Sequence, residues 1–267
     1  MDQRLPTFSI LGIRIHNITR EEALQAVEAL ITRADGARTV FFVNAHCINV
    51  AADDPAYRTA LNRADLVLPD GVGIRIAGRI LGTRVRDNVN GTDFFPMLCE
   101  RLDRRGASVF LLGALPGLAE KVANWIRAHF RSVEVAGTHD GYFSPQQEPE
   151  VVREVASSRA DVLLVAMGVP LQELWILRHR DELGVRVAFG VGGLFDFYSG
   201  RIPRAPYWMR RIGLEWFYRL LQEPRRLWRR YLIGNAVFIA RVFRARFRAR
   251  TARTRDEGPS RSPPTRD

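Results

Sequence analysis

The sequence predicts an α/β fold: a mostly parallel sheet with helices on both faces, joined to a small, helical, basic C-terminal appendage. Three observations predict it. Short β-branched apolar runs recur through the first 200 residues, and amphipathic stretches with helical spacing separate them. The runs are apolar on both faces, as strands covered on both sides must be. Taken in order, the runs are residues 10–15, 39–43, 66–68, 109–112, 162–165 and 185–191, and each reads as a strand. The helical stretches are 21–33, 51–63, 92–105, 116–130, 149–158 and 170–183. Together these describe a Rossmann-like body over residues 1–200. Residues 201–250 form the appendage, and the polar, Pro-containing stretch 251–267 is expected to be disordered.

Composition bounds the function. The chain has 267 residues, 46% hydrophobic and 26% charged, which suits one large α/β core with an addition and excludes a wholly disordered chain. Cys47 and Cys99 are its only cysteines, with no CxxC and no Cys/His cluster, so neither a disulfide framework nor structural zinc is indicated. The N-terminal residues lack the apolar core and cleavage site of a signal peptide. No run reaches the ~18 apolar residues of a spanning helix. The charge is uneven. Residues 1–200 hold 22 Lys+Arg against 24 Asp+Glu, a net of −2, whereas residues 201–255 hold 16 Arg against Glu215 and Glu223, a net of +14. A near-neutral body with an arginine-aromatic appendage suggests an enzyme whose substrate is anionic, membrane-borne, or both.

Ligands of open parallel sheets bind outside the carboxyl ends of the strands, so the residues after each run carry the functional reading. Asn44 and His46 follow the second run. Asp70 follows the third, at a turn with Gly71 and Gly73 before a helix. A general base needs that placement, but aspartate before a helix is also an ordinary N-cap, and spacing alone is explained by the cap. Asn88, Asn90 and Asp93 surround the next turn, with Thr92 or Asp93 as the expected cap. Gly113, a loop and Gly117 then have the shape of a phosphate loop with free N–H groups. The GxGxxG spacing and the Walker lysine are absent, and a simple turn explains the glycines equally. Gln172 opens a helix where its amide can read a nucleobase edge, or merely be solvated. Gly190, Gly192, Gly193, Asp196 and Gly200 fall within eleven residues, with Arg201 and Arg204 beyond, a density that points to close backbone approach to a ligand.

Seven motifs in order carry a resemblance: LPDGVGI, NGTDFF, GALPG, GYF at 141–143, MGVPLQE, GVGGLFDFYSGRIPRAP and LEWFYRLLQEPRRLWRRYL. With them the chain resembles the WecG/TagA/CpsF glycosyltransferases, bacterial enzymes that extend lipid-linked saccharides for surface polymers. The resemblance implies transfer from a UDP-sugar to an undecaprenyl-diphosphate-linked saccharide, with inversion, without a bound metal and without a cofactor. It makes Asp70 the general base and Arg219, Arg226 and Arg229 the appendage arginines that reach the diphosphate. It places Tyr142 and Gln172 near the nucleotide sugar. Asn44, Asn88, Asp93, Gly113, Gly192, Asp196 and Arg204 complete the candidate substrate-binding set. The chain departs from the family pattern at Phe42 and Asn88, so the donor is either of the N-acetylmannosamine type or a glucose or glucuronic acid donor of exopolysaccharide assembly.

The chain's own residues agree on one point: no Asp-x-Asp motif is present to hold a divalent cation against a nucleotide diphosphate. The appendage interleaves arginine with Trp208, Trp216, Phe217, Trp228, Tyr231, Phe238 and Phe243. A merely solvated basic face needs no such aromatics. A nucleic-acid arm on a vestigial sugar-nucleotide fold is the alternative of a different class. An anionic membrane surface accounts for more, because it also brings the enzyme to a polyprenyl acceptor. The expected location is the inner face of the bacterial plasma membrane, peripherally bound and with no nucleic-acid partner. A homo-oligomer is compatible with the pattern.

Overall fold

The computed structural model describes residues 5–33 and 36–256. In chain order the strands are β1 (Thr7–Ile10), β2 (Ile13–His16), β3 (Arg38–Val43), β4 (Leu66–Pro69), β5 (Ser108–Gly113), β6 (Glu134–His139), β7 (Val162–Ala166) and β8 (Val187–Gly190). The body helices are α1 (Arg20–Ile31), α2 (Ala45–Asp53), α3 (Pro55–Arg63), α4 (Val72–Leu81), α5 (Gly91–Asp103), α6 (Leu118–His129), α7 (Glu148–Ser158), α8 (Leu171–His179) and α9 (Leu194–Tyr198). The appendage comprises α10 (Tyr207–Arg211), α11 (Glu215–Gln222), α12 (Pro224–Trp228), a π-helical turn Arg229–Ile233, and α13 (Gly234–Asp256).

Six strands form one parallel sheet in the order β4-β3-β8-β7-β5-β6. The crossovers after β3 and β5 run outward to opposite edges, and β7 and β8 return to the centre. The carboxyl ends of the central strands therefore open into a crevice. One face of the sheet packs Trp175, Ile176, Val155, Ile48 and Tyr57 against Phe41, Leu163 and Ala188. The other packs Leu24, Val27, Phe94, Leu98 and Ile126 against Val40, Leu111, Leu164 and Phe189. These are the helices on both faces that the sequence predicts.

Four details differ from the sequence reading. Residues 10–15 are not one strand: Leu11 and Gly12 take positive φ and fold the run into the antiparallel β1–β2 hairpin. Residues 51–63 are not one helix: the Asp54 carboxylate caps Ala56 and Tyr57 and Pro55 starts a new helix, which divides α2 from α3. Edge strand β6 gives no sequence signal because its residues are half-exposed and one is Gly137. Asn90, not Thr92 or Asp93, caps α5, its Oδ1 accepting from Asp93 N at 2.7 Å.

The appendage joins the body's core. Phe238 and Val242 of α13 are fully buried in the same cluster as Ile74 and Ala77 of α4 and Ile48 of α2. Arg241 pairs with Asp53 at 2.7 Å, and Asn49 Nδ2 donates to Gly234 O at 2.7 Å. Helix α13 runs on to Asp256, past the expected start of the disordered tail, and residues 257–267 lie outside the described residues.

Candidate active site

Two cavities meet at the carboxyl ends of β3 and β4. The larger, about 650 Å³, lies under the loops that follow β7 and β8. The smaller, about 350 Å³, lies between the start of α4 and the appendage. Asn44, Asp70, Thr92, Phe197, Arg219 and Arg230 line both.

Parallel pairing places Asp70. Val43 is in register with Pro69, and Asp70 N donates to Val43 O at 2.8 Å, which sets Asp70 beside Asn44. The capping role that spacing offered for Asp70 is not taken: Gly71 is the N-cap of α4, at φ 90, with no side-chain cap. The Asp70 carboxyl is thus free to face the cavities. Asn44 Oδ1 caps α2 through His46 N (3.0 Å) and Cys47 N (3.2 Å), and its amide bonds the Asp70 carboxylate. Asn88 Oδ1 accepts from Gly71 N at 2.6 Å and steadies the turn from the other side. Burial raises the Asp70 pKa to about 6, the Glu215 carboxylate adds to it, and the Asn44 bond and Arg230 oppose it. Asp70 is thus mainly ionised at neutral pH, yet a stronger base than an ordinary carboxylate. Nearby His46 is pushed down to about 4, by burial and then by Arg230, so it is neutral.

Appendage and body meet through ion pairs. Asp93 accepts from Arg204 (2.8 Å) and Arg210 (3.1 Å), and Arg204 also reaches Glu215 (3.4 Å). Arg204 lines neither cavity, and its guanidinium serves this tether. Asp196, 7% exposed, pairs with Arg201 at 2.6 Å and lies 3.6 Å from Arg219. Arg219 lies over the Phe197 ring at 5.0 Å.

Arg226 lines the larger cavity and bonds Glu223 at 2.9 Å. Arg229, expected beside it, lines neither cavity: it is exposed and lies over the Trp228 ring at 5.2 Å. Arg230 takes the place. Residues three and four along share a helix face with Arg226, and of the two it is Arg230, four on, that lines both cavities. Among the described residues no carboxylate pairs with Arg230, and its Nε is buried without a partner. Helical spacing admits both residues and does not choose between them. The adjacent arginines 229 and 230 were the only available signal.

Gly190, Gly192 and Gly193 of the glycine cluster line the larger cavity. A Cβ on Gly193 would lie 2.7 Å from the Arg219 guanidinium, and one on Gly190 2.9 Å from Gln172 Nε2. Their close approaches are to the chain's own side chains. Gly113 makes room for the Ala166 backbone and lines neither cavity, and the next N–H, of Ala114, donates to Ala166 O at 2.9 Å. Gly192 and the exposed Tyr142 do line the larger cavity. Gln172 lines it too, but is 2% exposed. Its Oε1 accepts from Gly168 N (3.2 Å) and Gly192 N (2.9 Å), and its Nε2 donates to Glu173 (2.8 Å). Its amide ties the two loops together.

In an open α/β sheet, two cavities that share one basic carboxylate, with arginines lining both, suit an enzyme that brings two substrates together. The chain belongs to the glycosyl transferase WecG/TagA/CpsF family, whose model matches residues 8–252. It is 37% identical over 182 residues to an N-acetylglucosaminyldiphosphoundecaprenol N-acetyl-beta-D-mannosaminyltransferase of Bacillus spizizenii, covering 68% of this chain and 70% of that protein. It is 35% identical over 190 residues to the protein of the same name from Bacillus subtilis, covering 71% and 73%. The protein is a glycosyltransferase.

Proposed function

We propose that this enzyme moves a sugar from a UDP-sugar to an undecaprenyl-diphosphate-linked saccharide, with inversion and without a bound metal. The observation that carries the reading is the meeting of two cavities at Asp70 and Arg230. The larger takes the nucleotide sugar, and the smaller takes the acceptor saccharide. Asp70 withdraws the proton from the acceptor hydroxyl as that oxygen attacks the anomeric carbon. The leaving diphosphate develops charge against Arg219, Arg226 and Arg230, where fixed cations stabilise it. A base and a leaving-group site that can flank the anomeric carbon suit a single displacement, hence inversion. The relatives' names support a GlcNAc-diphosphate-undecaprenol acceptor and an N-acetylmannosamine-type donor.

The acceptor is lipid-borne, and the appendage suits a membrane face. Trp208, Ile212, Leu221, Leu232, Ile233 and Phe247 are exposed among its arginines. No helix among the described residues is long and apolar enough to cross a membrane. Aromatic and aliphatic side chains enter the interface while arginines meet anionic headgroups on the cytoplasmic leaflet.

A panel of UDP-sugars with a short-chain lipid-diphosphate N-acetylglucosamine tests the reading, with UDP release as the rate and the anomeric proton coupling of the product as the stereochemistry. Release with UDP-N-acetylmannosamine and an inverted product is expected. A retained configuration, or no acceptor-dependent release with any donor, overturns the proposal.

A further inference from the structure

Among the described residues, Glu173 is the one carboxylate that is 0% exposed. It lines neither cavity, and no cation is paired with it among the described residues. Its Oε2 has no hydrogen-bond partner. The titratable groups facing it are the Cys47 thiol from α2 and the Tyr57 hydroxyl from α3, both fully buried. Burial lifts the Glu173 carboxyl to about 7. A leucine there would avoid the cost of burying a polar group with an orphaned oxygen. Stability therefore does not account for this residue.

Its single side-chain contact does. Glu173 Oε1 accepts from Gln172 Nε2 at 2.8 Å. That bond decides which end of the amide faces inward. With the nitrogen held by the carboxyl, the oxygen faces two backbone donors, Gly168 N at 3.2 Å and Gly192 N at 2.9 Å. Gly168 belongs to the loop after β7 and Gly192 to the loop after β8, and both line the larger cavity. Gly190 leaves the space in which the amide lies, since a Cβ there would meet Nε2 at 2.9 Å and Phe41 at 3.2 Å. If the amide turned over, its NH2 group would face two N–H donors, and both loops would lose their tie.

We propose that Glu173 is a positioning residue: it fixes the Gln172 amide so that one carbonyl oxygen joins the Gly168 and Gly192 loops into the floor of the larger cavity. Through that floor it sets affinity for the nucleotide end of the donor. The inference rests on the assignment of the larger cavity to the UDP-sugar. Asp70 follows β4 and belongs to neither loop, so binding is affected and the chemical step is spared.

The test compares the full-length wild type with Glu173→Leu, which removes the acceptor while keeping the volume, and with Glu173→Gln, whose carbonyl can still accept from Gln172. Hydrogen exchange at the Gly168 and Gly192 amides reads the tie directly. UDP affinity and the donor KM and kcat read its consequence. Glu173→Leu should keep or raise its thermal midpoint, lose protection at both amides, and raise the UDP Kd and the donor KM about tenfold, equivalent to about 1.4 kcal/mol, with kcat little changed. Glu173→Gln should restore protection and KM together. Unchanged protection in Glu173→Leu, lost protection with unchanged Kd and KM, or failure of Glu173→Gln to restore either would each overturn the role. If the wild type binds no UDP, the donor assignment itself fails, and the exchange pattern tells that failure apart from failure of the tie.

Discussion

Asp70→Asn is expected to remove activity and raise stability at neutral pH, and the same burial causes both effects. The carboxyl is lifted from 3.8 to about 6, burial first and Glu215 second. That difference corresponds to roughly 3 kcal/mol favouring the protonated form. Asp70 retains intermediate exposure toward the cavities, so solvent screening reduces the expected penalty to about 1–2 kcal/mol. The sign follows from proton counting. Below about pH 4 folded and unfolded chains are both protonated there, and no penalty exists. As pH rises toward 6 the unfolded chain ionises more readily than the folded one, so stability falls, and above about 6 the loss is constant. Asparagine cannot ionise. Its thermal midpoint should exceed that of the wild type by roughly 2–8 °C at pH 7 and match it near pH 3.5. Transfer, followed as UDP release, should vanish while UDP still binds. The wild-type kcat/KM should fall tenfold per pH unit below an apparent pKa near 6. Retained turnover in Asp70→Asn, or a lower midpoint at pH 7, would refute the reasoning. An acidic limb near pH 4 would refute the environment assigned to the carboxyl.

Three other outcomes follow from the same geometry. Arg230→Ala should lower kcat/KM by roughly a hundredfold, whereas Arg229→Ala should leave transfer to a short-chain soluble acceptor near the wild-type rate; the reverse pattern would place the cation wrongly. Phe238→Ala empties a fully buried site between appendage and body, and should cost about 3–5 kcal/mol in urea unfolding. Co-sedimentation with vesicles containing anionic lipid should be strong at low salt and weaken as salt rises, at about 1 kcal/mol per engaged arginine; equal binding to neutral vesicles would remove the headgroup contacts.

How much of this was legible depends on where the information lay. Parallel strands buried on both faces declare themselves through runs such as residues 109–112 and 162–165, because every position must be apolar. Edge strand β6 meets no such demand and stayed invisible. Asp70 was legible as a residue at a strand end, but its freedom from capping was not, since that turns on Gly71 adopting positive φ as the N-cap. Local spacing could not tell Arg229 from Arg230, because positions three and four after Arg226 both share its helix face. Nor could it show that Gln172 spends its amide on Gly168, Gly192 and Glu173, a matter of three loops meeting in space. Glu215 was visible only as one of two acids among sixteen arginines. Its bearing on Asp70 emerged once α11 was seen against the smaller cavity.

The central claim is that side-chain cations from the appendage, with no divalent ion, offset the charge of the departing nucleotide. The most direct test is the initial rate of UDP release by the full-length enzyme with donor and acceptor present, measured in excess EDTA and again with added magnesium. The account predicts the same rate in both, and a large loss in Arg230→Ala that magnesium does not restore. A rate that vanishes in EDTA and returns with magnesium would contradict it.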